Sequence, residues 1–262
     1  MYLTVSYKFL PKQQTTHTAM VMSHFGIGFE TGQNVIADDL ELLIEAGDVV
    51  CFTGSSGSGK SSLMRAAASQ LQNVIDVDEL DLGEKCLVDG LECPFEDAMK
   101  WLSLCGLSEA QLMLRTPAEL SDGQRYRYRL AKGLSLQPDW LLADEFTATL
   151  DRVLARVIAF NVRKLAWRER TGFLLGTTHE DILADLHPDV HVRCDLGGTI
   201  DVMRSGIGNN SDDRAYGFES AERKKKVSAC CRNSNSPPAR NRTGRTSLGG
   251  ITAATMSGSS GS

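Results

Sequence analysis

The run Gly54-Ser55-Ser56-Gly57-Ser58-Gly59-Lys60-Ser61 stands between an apolar stretch, Val49-Val50-Cys51-Phe52, and a segment of good helix formers, Ser62-Leu63-Met64-Arg65-Ala66-Ala67-Ala68. Strand, glycine loop and helix in that order form a phosphate loop. Successive backbone N–H groups turn inward around an anion, and the helix N-terminus adds a favourable field for it. In this pattern Lys60 reaches the β and γ phosphates, and the hydroxyl of Ser61 is a ligand for Mg²⁺. Gly54, Ser55, Gly57, Ser58, Gly59 and Ser62 complete the cradle. A flexible Gly/Ser linker would use the same residues, but it has no reason to sit between a strand and a helix or to end in Lys-Ser.

Outward from the loop, residues 35–54 read as strands running from a sheet edge into the phosphate-loop strand, with Ala46-Gly47-Asp48 as the turn. Asn73-Val74-Ile75-Asp76-Val77 has the composition of another short strand. Residues 90–117 read as helical around Met99, Leu102, Leu104 and Leu107, with a break at Gly106. Trp140-Leu141-Leu142-Ala143 is apolar without alternation, the mark of a strand buried on both faces. Leu154, Val157, Ile158 and Leu165 follow helical spacing and predict a helix lying on the sheet. Gly172-Phe173-Leu174-Leu175-Gly176 is the next strand, and Val190–Cys194 with Thr199–Val202, joined around Gly197-Gly198, predicts a closing hairpin.

With 262 residues, 42% of them apolar, the chain has room for one substantial domain and a tail. The domain is expected over residues 1–204, with a helical subdomain at about 90–135. Residues 205–262 are rich in Gly, Ser, Asn and Arg and contain Arg223-Lys224-Lys225-Lys226, a composition expected to stay disordered. The net charge of −5 is uneven, with +6 from Arg204 onward and −11 before it. An acidic body argues against broad nucleic-acid contact, whereas the basic tail does not. Seven cysteines without a Cys-x-x-Cys pair speak against a disulfide framework or zinc site and fit a reducing cytoplasm. No stretch approaches 18 apolar residues, so no direct membrane insertion is expected.

Four further elements follow the phosphate loop in order. Leu120-Ser121-Asp122-Gly123-Gln124 is similar to the signature motif of ABC-type ATPases. Trp140 through Asp144-Glu145 resembles their Walker B strand and acidic pair. Ala148-Thr149-Leu150-Asp151 resembles the D-loop, and Thr178-His179-Glu180-Asp181 places a histidine at the switch position. The resemblance implies an α/β fold, a P-loop NTPase of ABC type with a mixed central sheet flanked by helices and a short helical subdomain.

It also implies Mg²⁺ held by Ser61 and Asp144, with Glu145 and His179 as catalytic residues. A carboxylate ending a central strand suits the metal, and its neighbour suits the attacking water. Ser121 is equally well placed to cap the helix that follows it. In the family, Ser121, Gly123 and Gln124 face the γ-phosphate held by a second copy, which implies an ATP-dependent homodimer. Arg125, Arg129 and Lys132 share one helical face. A salt-bridged surface is the expected reading for them, and a polyanion contact the alternative.

Over residues 20–203 the texture of the motifs is similar to a group of soluble ABC-type ATPases often fused to a predicted GNAT-type acetyltransferase domain. The 59 residues after Met203 cannot hold such a domain. The leading expectation is therefore a soluble ATPase that hydrolyses ATP and drives an unknown partner, with a separate acetyltransferase chain and nucleic acid as the candidates. The alternatives are the ATP-binding subunit of a membrane transporter and an ATP-dependent nucleic-acid clamp. The sequence lacks a glutamine at the family's Q-loop spacing, and Asp122 replaces a signature glycine, so its carboxylate is expected to point away from the phosphates. Phe29 is the candidate for stacking on adenine, with Phe25 read as a core residue.

Overall fold

The computed structural model describes residues 1–8, 13–27 and 33–205. Apart from Ser205, the tail expected over 205–262 lies outside the described residues, as does Phe29. Strand β1 (Tyr2–Lys8) pairs antiparallel with β2 (Gln33–Glu41), and helix α1 (Thr16–His24) lies between them in sequence. Next come β3 (Val49–Thr53), α2 (Lys60–Ser69) and β4 (Val74–Asp76). The segment expected to be helical over 90–117 is broken into short pieces. They are α3 (Leu87–Gly90), α4 (Phe95–Leu104), α5 (Ala110–Met113) and a single 3₁₀ turn, Pro117–Glu119. Gly106, at φ 73°, supplies the break after α4 that its composition suggested. Then follow α6 (Asp122–Ser135), β5 (Trp140–Ala143), α7 (Arg152–Glu169), β6 (Gly172–Thr177), α8 (Leu183–Leu186), β7 (Val190–Cys194) and β8 (Ile200–Arg204).

The main sheet runs β4-β5-β6-β3-β7-β8, parallel throughout except for β8, which returns antiparallel on β7. It is the mixed central sheet expected. One detail differs: β2 does not join it but pairs with β1 in a separate two-stranded sheet. The cause is visible in the register, because β7 already occupies the flank of β3 opposite β6.

Period-two alternation divides the buried strands between two cores. Val49 and Cys51 of β3, Leu141 and Ala143 of β5, and Phe173 and Leu175 of β6 face a core shared with α4, α6 and α7. Val50, Phe52, Trp140, Leu142 and Leu174 face the other, closed by α2 and by Leu3 and Val5 of β1. Burying such a side chain contributes about 1.5–3 kcal/mol, so both faces must be covered, and the continuous apolar runs require it. Ile158 and Leu165 of α7 are buried, but Val157 is not, since it falls on the outward side of the helix. Asp151 caps α7 by accepting from Leu154 N–H at 3.0 Å. Among the described residues no helix is long and apolar enough to cross a membrane.

Candidate functional site

The phosphate loop leaves β3, whose five residues are all buried, and ends where α2 begins at Lys60. The backbone turns at Gly54 (φ 137°) and Gly59 (φ 91°) in ways that L side chains rarely adopt. Space enforces the same choice: a Cβ on Gly54 would stand 2.0 Å from the Cys194 carbonyl oxygen, and one on Gly59 2.6 Å from Ile36 Cγ2. Lys60 is 8% exposed, with Nζ donating to the carbonyls of Gly54 (2.8 Å) and Ser55 (2.7 Å). It makes no ion pair with a carboxylate among the described residues. The Ser58 hydroxyl is buried without a hydrogen-bond partner, and the first turn of α2 carries no acidic residue. A buried ammonium, an orphaned hydroxyl and an uncapped helix N-terminus together fit a phosphate anion.

Two strands away, β5 delivers Asp144 and Glu145. Between β5 and β3 lies β6, and its Gly176 has no side chain to block the way. The space a Cβ would fill there is 2.7 Å from Asp144 Oδ1 and 2.6 Å from Met64 Sδ on α2. Asp144 thus reaches over β6 toward the helix that carries Ser61. Asp144 Oδ1 accepts from the N–H of Glu145 at 2.9 Å, and Glu145 holds a left-handed φ of 50°. A non-glycine residue in that region costs about 1–3 kcal/mol and persists only where its surroundings fix it. Here buried Phe146 donates its N–H to the Gly176 carbonyl, and Thr147 donates to the Tyr126 hydroxyl.

These residues share one cleft of ≈ 380 Å³, lined by Gly57, Gly59, Lys60, Ser61 and Ser62 on one side and Asp144, Glu145, Thr177 and Thr178 on the other. Tyr7 of β1 and Ile36 of β2 also line it. Sequence reading missed both, although the alternation through Leu3, Val5 and Tyr7 marks a strand. Phe25, read as a core residue, is 72% exposed and stacks edge-on against His24. It ends α1, which has no buried residues.

The residues resembling the signature lie elsewhere. Ser121 caps α6 in a reciprocal box: its hydroxyl accepts from Gln124 N–H, and Gln124 Oε1 accepts from Ser121 N–H at 3.1 Å. Gly123 packs closely on the loop after β5, where a Cβ would meet the Thr149 carbonyl at 3.0 Å. None of Ser121, Gly123 and Gln124 lines the cleft around Lys60. Asp122 is exposed, and its carboxylate lies 3.4 Å from Arg125. His179 is half-buried and follows Thr178 out of β6; its N–H donates to Thr177 Oγ1 at 3.1 Å, and its side chain lines neither cleft.

A second cleft of ≈ 350 Å³ opens on the other side of Asp144 and Glu145 and is lined by Arg65, Asp78, Asp122, Arg125, Tyr126, Arg129 and Thr149. Arg129 pairs with Asp78 at 3.3 Å, while Arg125 donates to the carbonyls of Pro117 and Leu120. The expected salt-bridged face therefore exists for these two arginines. Burial and the neighbouring Asp76 raise the Asp78 carboxyl above the usual carboxylate range, and Arg129 pulls it back.

Among the described residues no group of three or more His, Cys, Asp or Glu side chains could hold a metal alone. Mg²⁺ is commonly bound by one or two protein ligands completed by substrate phosphates, and Ser61 with Asp144 fits that donor set. Burial pushes the thiols of Cys51 and Cys105 up to about 12, so neither is a nucleophile.

No family model matches the chain. It is 31% identical over 212 residues to the aliphatic sulfonates import ATP-binding protein SsuB 2 of Pseudomonas savastanoi pv. phaseolicola, covering 72% of this chain and 76% of the relative. It is 30% identical over 210 residues to the maltose/maltodextrin import ATP-binding protein MalK of Mannheimia succiniciproducens, covering 67% of this chain and 56% of that one. Among solved structures, an ATP-binding cassette in a dimeric post-hydrolysis state bound to ADP and Pi superposes with a TM-score of 0.56 at 17% identity. That match covers 78% of this chain and 97% of the other.

Proposed function

The chain belongs to the ABC-type ATPases, and from that premise we propose that it is the ATP-binding subunit of a membrane importer, acting at the cytoplasmic face. The relatives named above carry import functions, which favours this reading over a soluble ATPase acting on a non-membrane partner. Residues 1–204 form the ATPase domain, with about 90–135 as its helical subdomain.

In the reaction, the N–H groups of the loop and of the first turn of α2 hold the triphosphate, and Lys60 neutralises its β and γ oxygens. Ser61 and Asp144 would hold Mg²⁺, which would offset the negative charge of the triphosphate. Glu145 accepts a proton from the attacking water or orients it, a contribution typically of ~10²–10⁴-fold. His179 follows β6 at the edge of the site and, although its side chain does not line the cleft here, it is assigned to the γ-phosphate once nucleotide is bound. Ser121, Gly123 and Gln124 complete the site of a second copy, so that two chains close head to tail around two ATP molecules. The observation that carries the reading is the single cleft shared by Lys60, Ser61, Asp144 and Glu145.

A second reading, the soluble ATPase acting with a separate acetyltransferase chain or nucleic acid, is favoured by the lack of a glutamine at the family's Q-loop spacing in the sequence. Affinity purification of Glu145→Gln with ATP, from native membranes in detergent, decides between them. Recovery of a multi-span protein supports the importer; recovery of a soluble chain or nucleic acid alone overturns it.

A further inference from the structure

Period two along β5 would send Asp144 and Glu145 to opposite faces of the sheet, yet both residues line the same two clefts. What brings them together is the turn that ends the strand. Glu145 takes a left-handed φ of 50° and Thr147, two residues on, one of 65°. The Ala148 N–H closes the turn on the Glu145 carbonyl at 2.9 Å. A positive φ inside such a turn is ordinarily given to glycine or asparagine. Thr147 is β-branched, the residue type for which that backbone is a genuine outlier. It is also fully buried, and its hydroxyl has no hydrogen-bond partner among the described residues. Left to local preference, the turn would not keep this shape.

Four consecutive amides hold it. Glu145 donates to Asp144 Oδ1 at 2.9 Å, Phe146 to the Gly176 carbonyl at 2.6 Å and Ala148 to the Glu145 carbonyl. The fourth, on Thr147, donates to the Tyr126 hydroxyl at 3.4 Å. Of the four acceptors this is the one side chain that comes from another helix or strand, and it acts on the strained residue itself. Tyr126 is 8% exposed and belongs to the same core as Phe146 and the inward residues of β5, so its hydroxyl is a fixed point. Burial raises its phenol above the usual range, and the oxygen stays protonated. Tyr126 lines the ≈ 350 Å³ cleft and not the one that holds Lys60.

Resting on the reading of Glu145 as the residue that serves the attacking water, we infer that Tyr126 is a positioning residue for it. Its hydroxyl holds Thr147 in the left-handed region, and the turn so fixed keeps the Glu145 carboxylate beside Asp144. Without that acceptor the Thr147 amide is buried and unpaired, and nothing offsets the preference of a β-branched residue for a negative φ. Glu145 then loses the pose from which it meets the water, while the phosphate cradle around Lys60 is untouched. Tyr126 acts on turnover and not on ATP binding.

The test is a double-mutant cycle between Tyr126→Phe and Thr147→Gly on the full chain, with kcat, ATP affinity and melting curves recorded for each protein. Tyr126→Phe removes one oxygen and should lower kcat by about 10-fold, the scale of one hydrogen bond carried into the barrier, with ATP affinity unchanged. Glycine takes a positive φ as readily as a negative one, so in the Thr147→Gly background the same change should alter kcat by less than about 2-fold. A purely structural tyrosine would lower the melting temperature and move kcat equally in both backgrounds. Equal kcat losses in the two backgrounds, an unchanged kcat in Tyr126→Phe, or ATP affinity that falls in step with kcat overturns the inference. If Tyr126→Phe does not fold, the double variant decides alone: it should fold and turn over at the rate of Thr147→Gly, and a lower rate or a failure to fold overturns the inference. Glu145→Gln protein with normal turnover overturns the reading of Glu145 and this inference with it, whereas inactive Glu145→Gln beside fully active Tyr126→Phe overturns the inference alone.

Discussion

Gly176 leaves open the space through which Asp144 reaches α2, since a methyl group on Gly176 would stand 2.7 Å from Asp144 Oδ1. The carboxylate is the free end of a short side chain and can swing aside, so the fold survives while Asp144, the proposed metal ligand, is displaced. We expect Gly176→Ala to cost about 1–3 kcal/mol of stability from overpacking and to lower kcat by about 10²-fold, the usual penalty for misplacing a catalytic group by an ångström. Thermal melts and phosphate release at saturating Mg·ATP measure the two effects. Unchanged turnover would show that Asp144 does not need this corridor.

Tyr7 lines the cleft from β1 together with Ile36, which packs against Gly59 of the phosphate loop, and we expect it to be the aromatic that stacks on the base. Stacking a base on an aromatic ring is worth roughly 1–3 kcal/mol, so Tyr7→Ala should weaken ATP by about 10-fold or more, whereas Tyr7→Phe retains affinity. Ring stacking reads no base edge, so GTP should lose affinity in parallel with ATP. An alanine variant that binds ATP like the wild type removes Tyr7 from the site.

The phosphate loop and the acidic pair were legible because each needs residue types that sterics and charge dictate locally: glycine where φ is positive, a lysine and hydroxyl at a helix start, carboxylates after a buried strand. Tyr7 was not legible, because it reaches the cleft through the pairing of β1 with β2, a contact between segments some thirty residues apart. Asp78 was missed for a related reason. Its position depends on the β4–β5 register, and nothing in the run Asp76-Val77-Asp78-Glu79 distinguishes the carboxylate that faces Asp144. The helical reading of 90–117 with a break at Gly106 holds in pieces, because apolar spacing there serves several short helices packed on one core, with Pro117 a further interruption.

Lys60 and Glu145 line the same cleft but act on different species, and substitution should separate them. Lys60→Ala removes a buried charge from the phosphate cradle and should weaken ATP by roughly 10²-fold, in keeping with the ~2–5 kcal/mol lost on truncating a buried charge partner. Glu145→Gln keeps the donor network and should bind ATP like the wild type while turnover falls by ~10²–10⁴-fold. Calorimetric titration and a phosphate-release assay read the two quantities independently. Equal ATP affinity in Lys60→Ala and wild type would contradict the assignment of the loop.

The separation of Ser121, Gly123 and Gln124 from the cleft around Lys60 within one chain leads to the sharpest expectation, that each active site is built from two copies. A closed two-fold arrangement makes both composite sites equivalent, so each pairs the loop of one copy with the α6 N-terminus of the other. Lys60→Ala protein lacks the loop half and Ser121→Arg protein the helix half, and each alone should be nearly inactive. Mixed, they form heterodimers in which one site has both halves intact and the other has neither. ATPase activity should therefore reappear on mixing, rise with the heterodimer fraction, and depend on protein concentration as dimerisation requires. Arginine at residue 121 sits at an exposed cap and should cost no more than about 2 kcal/mol of folding stability, so a melting curve separates loss of fold from loss of the shared site. Full activity of Ser121→Arg as a monomer, constant across concentration, would defeat the two-copy site.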